Sequence, residues 1–209
     1  FARTLIYNGA TFKGQPVQSY VGGRNGRPLD GATPTSYYLR KHIVEATSFV
    51  TGSEMSYQHI FPFFRYAEVL LNYAEALAAA TQNPDFTGMK GEVEYTLSPR
   101  EALNAVRARY NMPGITETDY AAFVKRLRNE RRVELAFEGH RFWDIRRWKI
   151  GAETTKVYGL TITPQNDGSF SYMRSVIQQR GWEDRMNFYP IADAELFKNH
   201  NLVQNDGWK

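Results

Sequence analysis

Hydrophobic and polar positions repeat with a helical period in the middle of the chain. From residue 63 to residue 80, apolar side chains recur at spacings of three and four, while Glu68 and Glu75 fall on the opposite face. This pattern predicts an amphipathic helix that ends at Asn83-Pro84. Its predicted inward face consists of Tyr66, Val69, Leu70, Tyr73 and Leu77.

Two further helices and a short fourth one follow. Ser98, Pro99 and Glu101 form a capping-box signature, which predicts a helix with Leu103, Val106 and Tyr110 facing inward. A third helix is predicted from after Thr118 to about Glu138. Gly139 interrupts it, and residues 140–148 are predicted to form a further short helix.

The rest of the chain reads as irregular. In residues 1–60 the pattern predicts short strands separated by turns, and one of these strands is predicted at residues 36–44. Residues 158–163 and 170–174 alternate around Asn166-Asp167-Gly168 and predict a hairpin, and the tail predicts one helical turn near residues 193–197. The predicted fold class is mainly α, with helices packed against long irregular loops and short β-hairpins.

Composition excludes several classes of site. The chain has no cysteine, so it has no disulfide, thiol nucleophile or cysteine metal site. Its 22 acidic residues offset most of its 26 basic ones, so the net charge of +4 does not indicate a nucleic-acid-binding protein. His42 and Glu45 have metal-binding side chains but fall where a strand is predicted to end, so we expect neither a metal nor a cofactor.

The stretch from Arg126 to Trp148 is unusually rich in charge. Arg131, Glu134 and Glu138 fall inside the apolar arc of the third helix, and buried charges must be paired. We therefore predict a partly buried ion-pair network that also includes Arg141 or Arg146. Val133 and Phe137 add apolar surface on another side of the helix, so we predict that a second flank is also covered.

Two functional interpretations of this stretch, catalysis and RNA binding, compete with a purely structural one. Glu130 and Glu134 could be the carboxylate pair of a glycosidase, but the surrounding arginines would depress the pKa of the required general acid. The arginines could bind RNA with Trp143 and Trp148 stacking on bases, but the interleaved acids neutralise much of the charge. The structural interpretation is favoured.

Four motifs follow one another in a fixed order along the chain. The most specific, R-N-E-R-R-V-E-L-A-F-E-G-H-R-F-W-D-I-R-R-W, spans residues 128–148. The others are Y-Y-L-R-K at residues 37–41, F-R-Y-A-E-V-L-L-N-Y-A-E-A at residues 64–76, and Y-P-I at residues 189–191 with N-L-V-Q-N-D-G-W at residues 201–208. Together these motifs resemble the SusD/RagB family of outer-membrane nutrient-binding lipoproteins. The chain departs from the last motif at Asp206, where the family usually has proline.

The resemblance implies that residues 1–209 form the C-terminal domain of such a protein, without its tetratricopeptide-like N-terminal half. It further implies a non-catalytic glycan-binding protein that captures oligosaccharide or polysaccharide for a SusC-like TonB-dependent transporter. Such a protein would be surface-exposed on the cell outer membrane, held by a lipid anchor outside this chain. The alternative is a helical protein-interaction scaffold in the same complex, with no glycan site of its own.

Aromatic residues outside these motifs are the candidate glycan-binding residues. Trp182 is the first choice, because it lies in a polar loop with Gly181 and the donor Arg180. Trp143, Trp148 and Trp208 belong to motif segments and are assigned to packing. Further candidates on predicted loops or hairpins are Tyr20, Tyr57, Phe170, Tyr172 and Phe12.

Overall fold

A computed structural model describes residues 1–208, which form two compact units. The helical unit comprises Phe61–Arg141, and the hairpin unit combines Phe1–Ile60 with residues 142–208. The helices are α1 (Tyr66–Thr81), α2 (Pro99–Ala108), α3 (Tyr120–Glu134), α4 (His140–Arg147) and α5 (Asp193–Lys198). The strands are β1 (Leu5–Ile6), β2 (Thr11–Phe12), β3 (Gln15–Pro16), β4 (Tyr38–Leu39), β5 (Gly88–Lys90), β6 (Val93–Tyr95), β7 (Lys156–Pro164) and β8 (Phe170–Gln179).

The core of the helical unit lies between α1, α2 and α3. Leu71 of α1, Leu103 of α2, and Phe123 and Leu127 of α3 are completely inaccessible to solvent. Truncating one such side chain to alanine typically costs about 2–5 kcal/mol. These contacts position the charged side chains that α3 carries.

The predicted inward face of α1 is partly wrong. Leu70 and Leu77 are buried, but Tyr66 and Val69 are exposed, with 69% and 49% of their surface accessible. The buried face instead contains several alanines, because small side chains allow close approach to α2 and α3. It consists of Ala67, Leu70, Leu71, Ala74, Leu77 and Ala78. The helix also begins later than residue 63, since Arg65 has an extended backbone.

The capping box predicted for α2 is confirmed. The Glu101 N–H donates to the Ser98 hydroxyl at 3.2 Å, and the Ser98 N–H donates to the Glu101 carboxylate at 2.8 Å. Tyr110 is exposed instead of inward-facing, because α2 ends at Ala108. The structure also contains a short β5–β6 hairpin before α2 that the sequence pattern did not predict.

The third helix ends four residues before the predicted boundary. The Asp119 carboxylate accepts a 2.8 Å hydrogen bond from the Ala122 N–H and caps the start of α3. The helix ends at Glu134, and Phe137 has a φ of +63° that no helix accommodates. Val133 and Phe137 are both exposed, so the prediction of a covered second flank is wrong.

In the hairpin unit, the long β7–β8 hairpin packs against the N-terminal segment. The predicted hairpin is confirmed and extends further at both ends. The Val21 N–H donates to the Ile162 carbonyl at 2.8 Å, and the Ser36 hydroxyl donates to the Leu160 carbonyl at 2.7 Å. The predicted strand at residues 36–44 is reduced to β4, because Ser36 and His42 both have positive φ.

The overall composition of elements confirms the predicted fold class, which is mainly helical with loops and short hairpins. Ile6, Ala10 and Val17 form a small second core in the hairpin unit, with Phe12 packed against it. None of the helices within residues 1–208 is long and apolar enough to cross a membrane.

Candidate functional site

Trp182 lies in the loop after β8, and backbone contacts fix its position. The Arg180 N–H donates a 2.8 Å hydrogen bond to the Thr155 carbonyl, which holds the start of the loop beside β7. The indole ring lies against Gly151, the first residue of a 3-10 helix. A Cβ atom at residue 151 would lie 1.9 Å from the Trp182 Cε2 atom, so this position requires glycine.

Aromatic rings surround Arg146 of α4. Its guanidinium carbon lies 3.5 Å from the ring centroid of Phe142, 5.2 Å from that of Trp182 and 5.6 Å from that of Tyr189. The Arg146 Nη1 also donates a 2.9 Å hydrogen bond to the Phe142 carbonyl, one turn earlier in the helix. Cation–π contacts of this kind contribute roughly 0.5–2 kcal/mol each, so they hold the guanidinium in place.

Trp182, Arg146 and Phe142 line a cleft of about 220 Å³. Its lining combines aromatic rings, hydroxyl groups and two guanidinium groups, and within residues 1–208 it includes no aspartate or glutamate. The polar and aromatic residues of the lining are Phe142, Arg146, Thr154, Thr155, Arg180 and Trp182. We call this the Trp182 cleft.

Trp143 corrects the assignment of motif tryptophans to packing. It is 59% exposed and contacts Phe142 edge-on at 5.1 Å between ring centroids, with Tyr189 at 6.0 Å. The buried position of α4 is taken by Asp144, which places Trp143 on an accessible face. Trp148 is buried as expected, and Trp208 is half-buried.

The exposed rings of Phe142, Trp143 and Tyr189 were not among the predicted site residues. The sequence contains no signal that identifies all three, because the burial of Asp144 is visible only in the structure. A helix that buries Asp144 turns its immediate neighbour Trp143 away from the covered face. These rings therefore extend the aromatic surface beside Arg146.

Of the six predicted glycan-binding residues, only Trp182 and Arg180 line the Trp182 cleft. Tyr20 and Phe170 contact each other with ring centroids 5.1 Å apart. Tyr172 is exposed on β8, and Tyr57 is exposed in the segment before the helical unit. Phe12, a further candidate, belongs to the edge of the small core.

A wider depression of about 920 Å³ lies elsewhere in the hairpin unit. Its polar groups are engaged in the folding of the tail: Gln204 exchanges hydrogen bonds with the backbone of Ile191, and the Asn205 amide donates to the Tyr189 carbonyl. Phe188 is the single aromatic residue in the lining that the structure describes. The smaller cleft is therefore the better candidate for ligand binding.

The helical unit contains ion pairs of Glu134 and Glu138, as predicted, and their partner Arg65 is an arginine that the sequence pattern did not predict. Arg65 Nε donates to the Glu138 carboxylate at 2.8 Å, and Arg65 Nη1 donates to the Glu134 carboxylate at 2.5 Å. Burial opposes the charged form of Arg65, but the hydrogen bonds to Glu138 and Glu134 outweigh burial and raise the pKa of Arg65 above its ordinary value. Arg146, one of the two arginines suggested as a further member of this network, lies instead among the aromatic rings of the hairpin unit.

The carboxylates considered for glycosidase chemistry are held by arginines. Glu130 accepts a hydrogen bond from Arg107, and Glu134 accepts one from Arg65. Within residues 1–208, no group of three or more histidine, aspartate or glutamate side chains is arranged to hold a metal ion.

A family model described as the SusD family matches residues 1–208. The chain belongs to the SusD family. It is 33% identical over 146 residues to SusD-like protein P2 of Formosa agariphila, an alignment covering 68% of this chain and 24% of that protein.

Two solved SusD-like structures from Bacteroides fragilis share the fold. A SusD-like protein matches with a TM-score of 0.78 and 28% identity, covering 99% of this chain and 38% of that one. A SusD-like carbohydrate binding protein matches with a TM-score of 0.64 and 29% identity, covering 96% of this chain and 40% of that one. The chain thus spans two fifths or less of the length of these relatives.

The SusD-family motif at residues 128–148 now has a physical interpretation. Its first part supplies Glu130, Glu134 and Glu138, which pair with arginines in the helical unit. Its last part forms α4, which carries Arg146 and the exposed rings beside the Trp182 cleft. The motif therefore contributes both to the scaffold and to the candidate site.

Proposed function

We propose that this chain is the glycan-binding part of a cell-surface protein that captures oligosaccharide or polysaccharide for uptake. The observation that carries the proposal is the Trp182 cleft, a half-buried indole flanked by Arg180 and Arg146. The name of the carbohydrate binding relative from B. fragilis supports the same ligand class. In this proposal a SusC-like TonB-dependent transporter receives the glycan, and a lipid anchor holds the protein at the outer membrane.

The chemistry of the cleft suits a sugar. Sugar rings present apolar C–H faces that stack on an indole, while planar donors such as guanidinium groups bind their oxygens. The hydroxyl groups of Thr154 and Thr155 add further donors and acceptors. A volume of about 220 Å³ is below the roughly 300–1,000 Å³ of pockets for drug-sized ligands, so the cleft would hold one or two units of a longer chain.

The proposed role is binding without bond cleavage. Glycoside hydrolysis ordinarily requires two carboxyl groups facing the scissile bond. The described lining of the Trp182 cleft has no acidic residue, and Glu130 and Glu134 are engaged by arginines. These features support a receptor.

One observation favours a second candidate function, that of a protein-interaction scaffold. Phe63 and Phe64 in the helical unit have 92% and 75% of their surface exposed, and Tyr66 follows them on the exposed side of α1. Contiguous exposed apolar surface commonly marks a protein contact site. A scaffold would bind a surface protein through these rings and would bind no glycan.

Calorimetric titration against a glycan panel tests the proposal, with reducing-sugar release measured in parallel. We expect saturable binding without sugar release, and we expect Trp182→Ala to weaken that binding at least tenfold. Phe197→Ala is the matched control, because Phe197 is an exposed aromatic residue on α5 outside the cleft. Release of reducing sugar would contradict the receptor role, and absence of binding to every glycan would favour the scaffold.

A further inference from the structure

The two arginines of the Trp182 cleft lack the carboxylate partner that several other arginines have. Arginines with such an ion pair are Arg40, Arg65, Arg100, Arg107, Arg126, Arg147 and Arg185. Arg146 and Arg180 have no carboxylate within ion-pair distance among residues 1–208. The cleft thus carries two positive charges that the described part of the protein does not neutralise.

Arg146 is both partly buried and incompletely hydrogen-bonded. Its side chain packs on Phe142, and its Nε atom is inaccessible to solvent and has no hydrogen-bond partner in the described residues. Aromatic rings attract a guanidinium but supply no countercharge. Removing a cation from water without a countercharge is costly, so an anion placed in the cleft would be bound favourably.

Arg180 adds a second cation that remains accessible. Its backbone N–H is fixed by the Thr155 carbonyl at 2.8 Å, so the residue is held at the rim, and its side chain is exposed. The nearest acid along the chain, Glu183, pairs with Arg185 at 2.8 Å. Arg180 is therefore available to a ligand.

We infer that the Trp182 cleft selects an anionic sugar, one that carries a carboxylate or a sulfate group. The sugar ring would stack on Trp182 while its anionic group lies between the guanidinium groups of Arg146 and Arg180. Guanidinium groups match the geometry of planar and tetrahedral oxyanions, and such charged hydrogen bonds are stronger than neutral ones. This inference rests on the proposed glycan-binding function and specifies its substrate class.

The test uses the whole chain and compares paired ligands, one with an anionic group and one in which that group is neutralised or absent. Oligogalacturonate and its methyl ester probe the carboxylate, and dextran sulfate and dextran probe the sulfate. We expect at least one anionic ligand to bind about tenfold or more tightly than its neutral counterpart, the size expected for one charged hydrogen-bonded contact. Whichever pair shows the difference identifies the anionic group.

Arg180→Gln should reduce this discrimination, while Arg132→Gln should not. Arg132 is exposed on α3, so its substitution removes the same charge outside the cleft. If both variants lose the same discrimination between anionic and neutral ligands, the preference arises from net charge and the inference is overturned.

The remaining outcomes separate the inference from the function on which it rests. Equal affinity for charged and neutral members of both pairs, or binding confined to neutral glycans, would overturn the anionic preference and leave glycan binding intact. Failure to bind any glycan would refute the proposed function and the inference together.

Discussion

Replacing Arg65 by methionine should lower the free energy of unfolding of the helical unit by about 3 kcal/mol. Methionine keeps much of the aliphatic packing but removes the cation that donates to Glu138 at 2.8 Å and to Glu134 at 2.5 Å. Only 3% of the Glu138 side chain is exposed, so water replaces little of the lost interaction. Breaking a buried ion pair costs about 3–5 kcal/mol, and the lower end applies because a quarter of the Arg65 side chain reaches solvent.

Urea unfolding followed by two spectroscopic signals measures the loss of stability separately in the helical unit and in the hairpin unit. All four tryptophans lie between residues 143 and 208, so their fluorescence reports on the hairpin unit. Far-UV circular dichroism reports mainly on α1, α2 and α3 of the helical unit. We expect the dichroism midpoint to fall in Arg65→Met.

Two further variants decide whether the ion pairs are the cause. Arg65→Lys keeps the charge but cannot donate to both carboxylates with the same geometry, so its loss should be intermediate. Arg132→Met removes an exposed arginine from α3 and should change the free energy of unfolding by no more than about 0.5 kcal/mol. If Arg65→Met is as stable as Arg132→Met, the network does not stabilise the unit and the reasoning is refuted.

The remaining predictions concern the cleft and a helix cap. Gly151→Ala should displace the Trp182 ring, because the new Cβ would lie 1.9 Å from the indole. The tryptophan emission should shift and glycan binding should weaken. Unchanged emission and affinity would contradict the packing of Trp182 against Gly151. Hydrogen bonds from the backbone and hydroxyl of Ser98 hold the pKa of Glu101 below its ordinary value. The ionised Glu101 therefore stabilises the folded protein fully at pH values above the ordinary pKa. This stabilisation is lost as the pH falls through the lower pKa of the folded state. The stability difference between the wild type and Glu101→Gln should therefore shrink on acidification, and a difference that stays constant with pH would argue against this cap.

Local signals made parts of the fold predictable from sequence. The Ser98, Pro99 and Glu101 pattern predicts the start of α2 because all its contacts lie within one helical turn. The Asn166-Asp167-Gly168 turn likewise predicts the β7–β8 hairpin, since a tight turn fixes strand pairing on either side. In both cases the residues that determine the structure are neighbours in the chain.

Features that depend on distant partners were not predictable in the same way. Arg65, the arginine of the ion-pair network that the sequence pattern does not predict, lies 69 residues from Glu134. Helical periodicity places Glu134 on an apolar face but contains no information about which cation meets it. Helical periodicity predicts the inward face of α1 incorrectly for a similar reason, because the alanines are buried only where another helix approaches closely.

The candidate site shows the same division. The polar loop around Trp182 was recognisable from its composition, but the contact with Gly151 and the position of Arg146 depend on tertiary structure. Membership of the motif assigns both tryptophans to packing, whereas Trp143 is exposed and Trp148 is buried. Their difference follows from which face of α4 is covered.

The Arg65–Glu138 ion pair also affects the order in which the chain can assemble. Its partners are 73 residues apart and lie near the two ends of the helical unit. The hairpin unit needs a contact between Ser36 and Leu160 across 124 residues. Once the ion pair has formed, those 73 residues no longer contribute to the loop, which lowers the entropic cost of closing it by roughly 0.8 kcal/mol. We therefore expect the helical unit to form first and to bring the two halves of the hairpin unit within reach of each other.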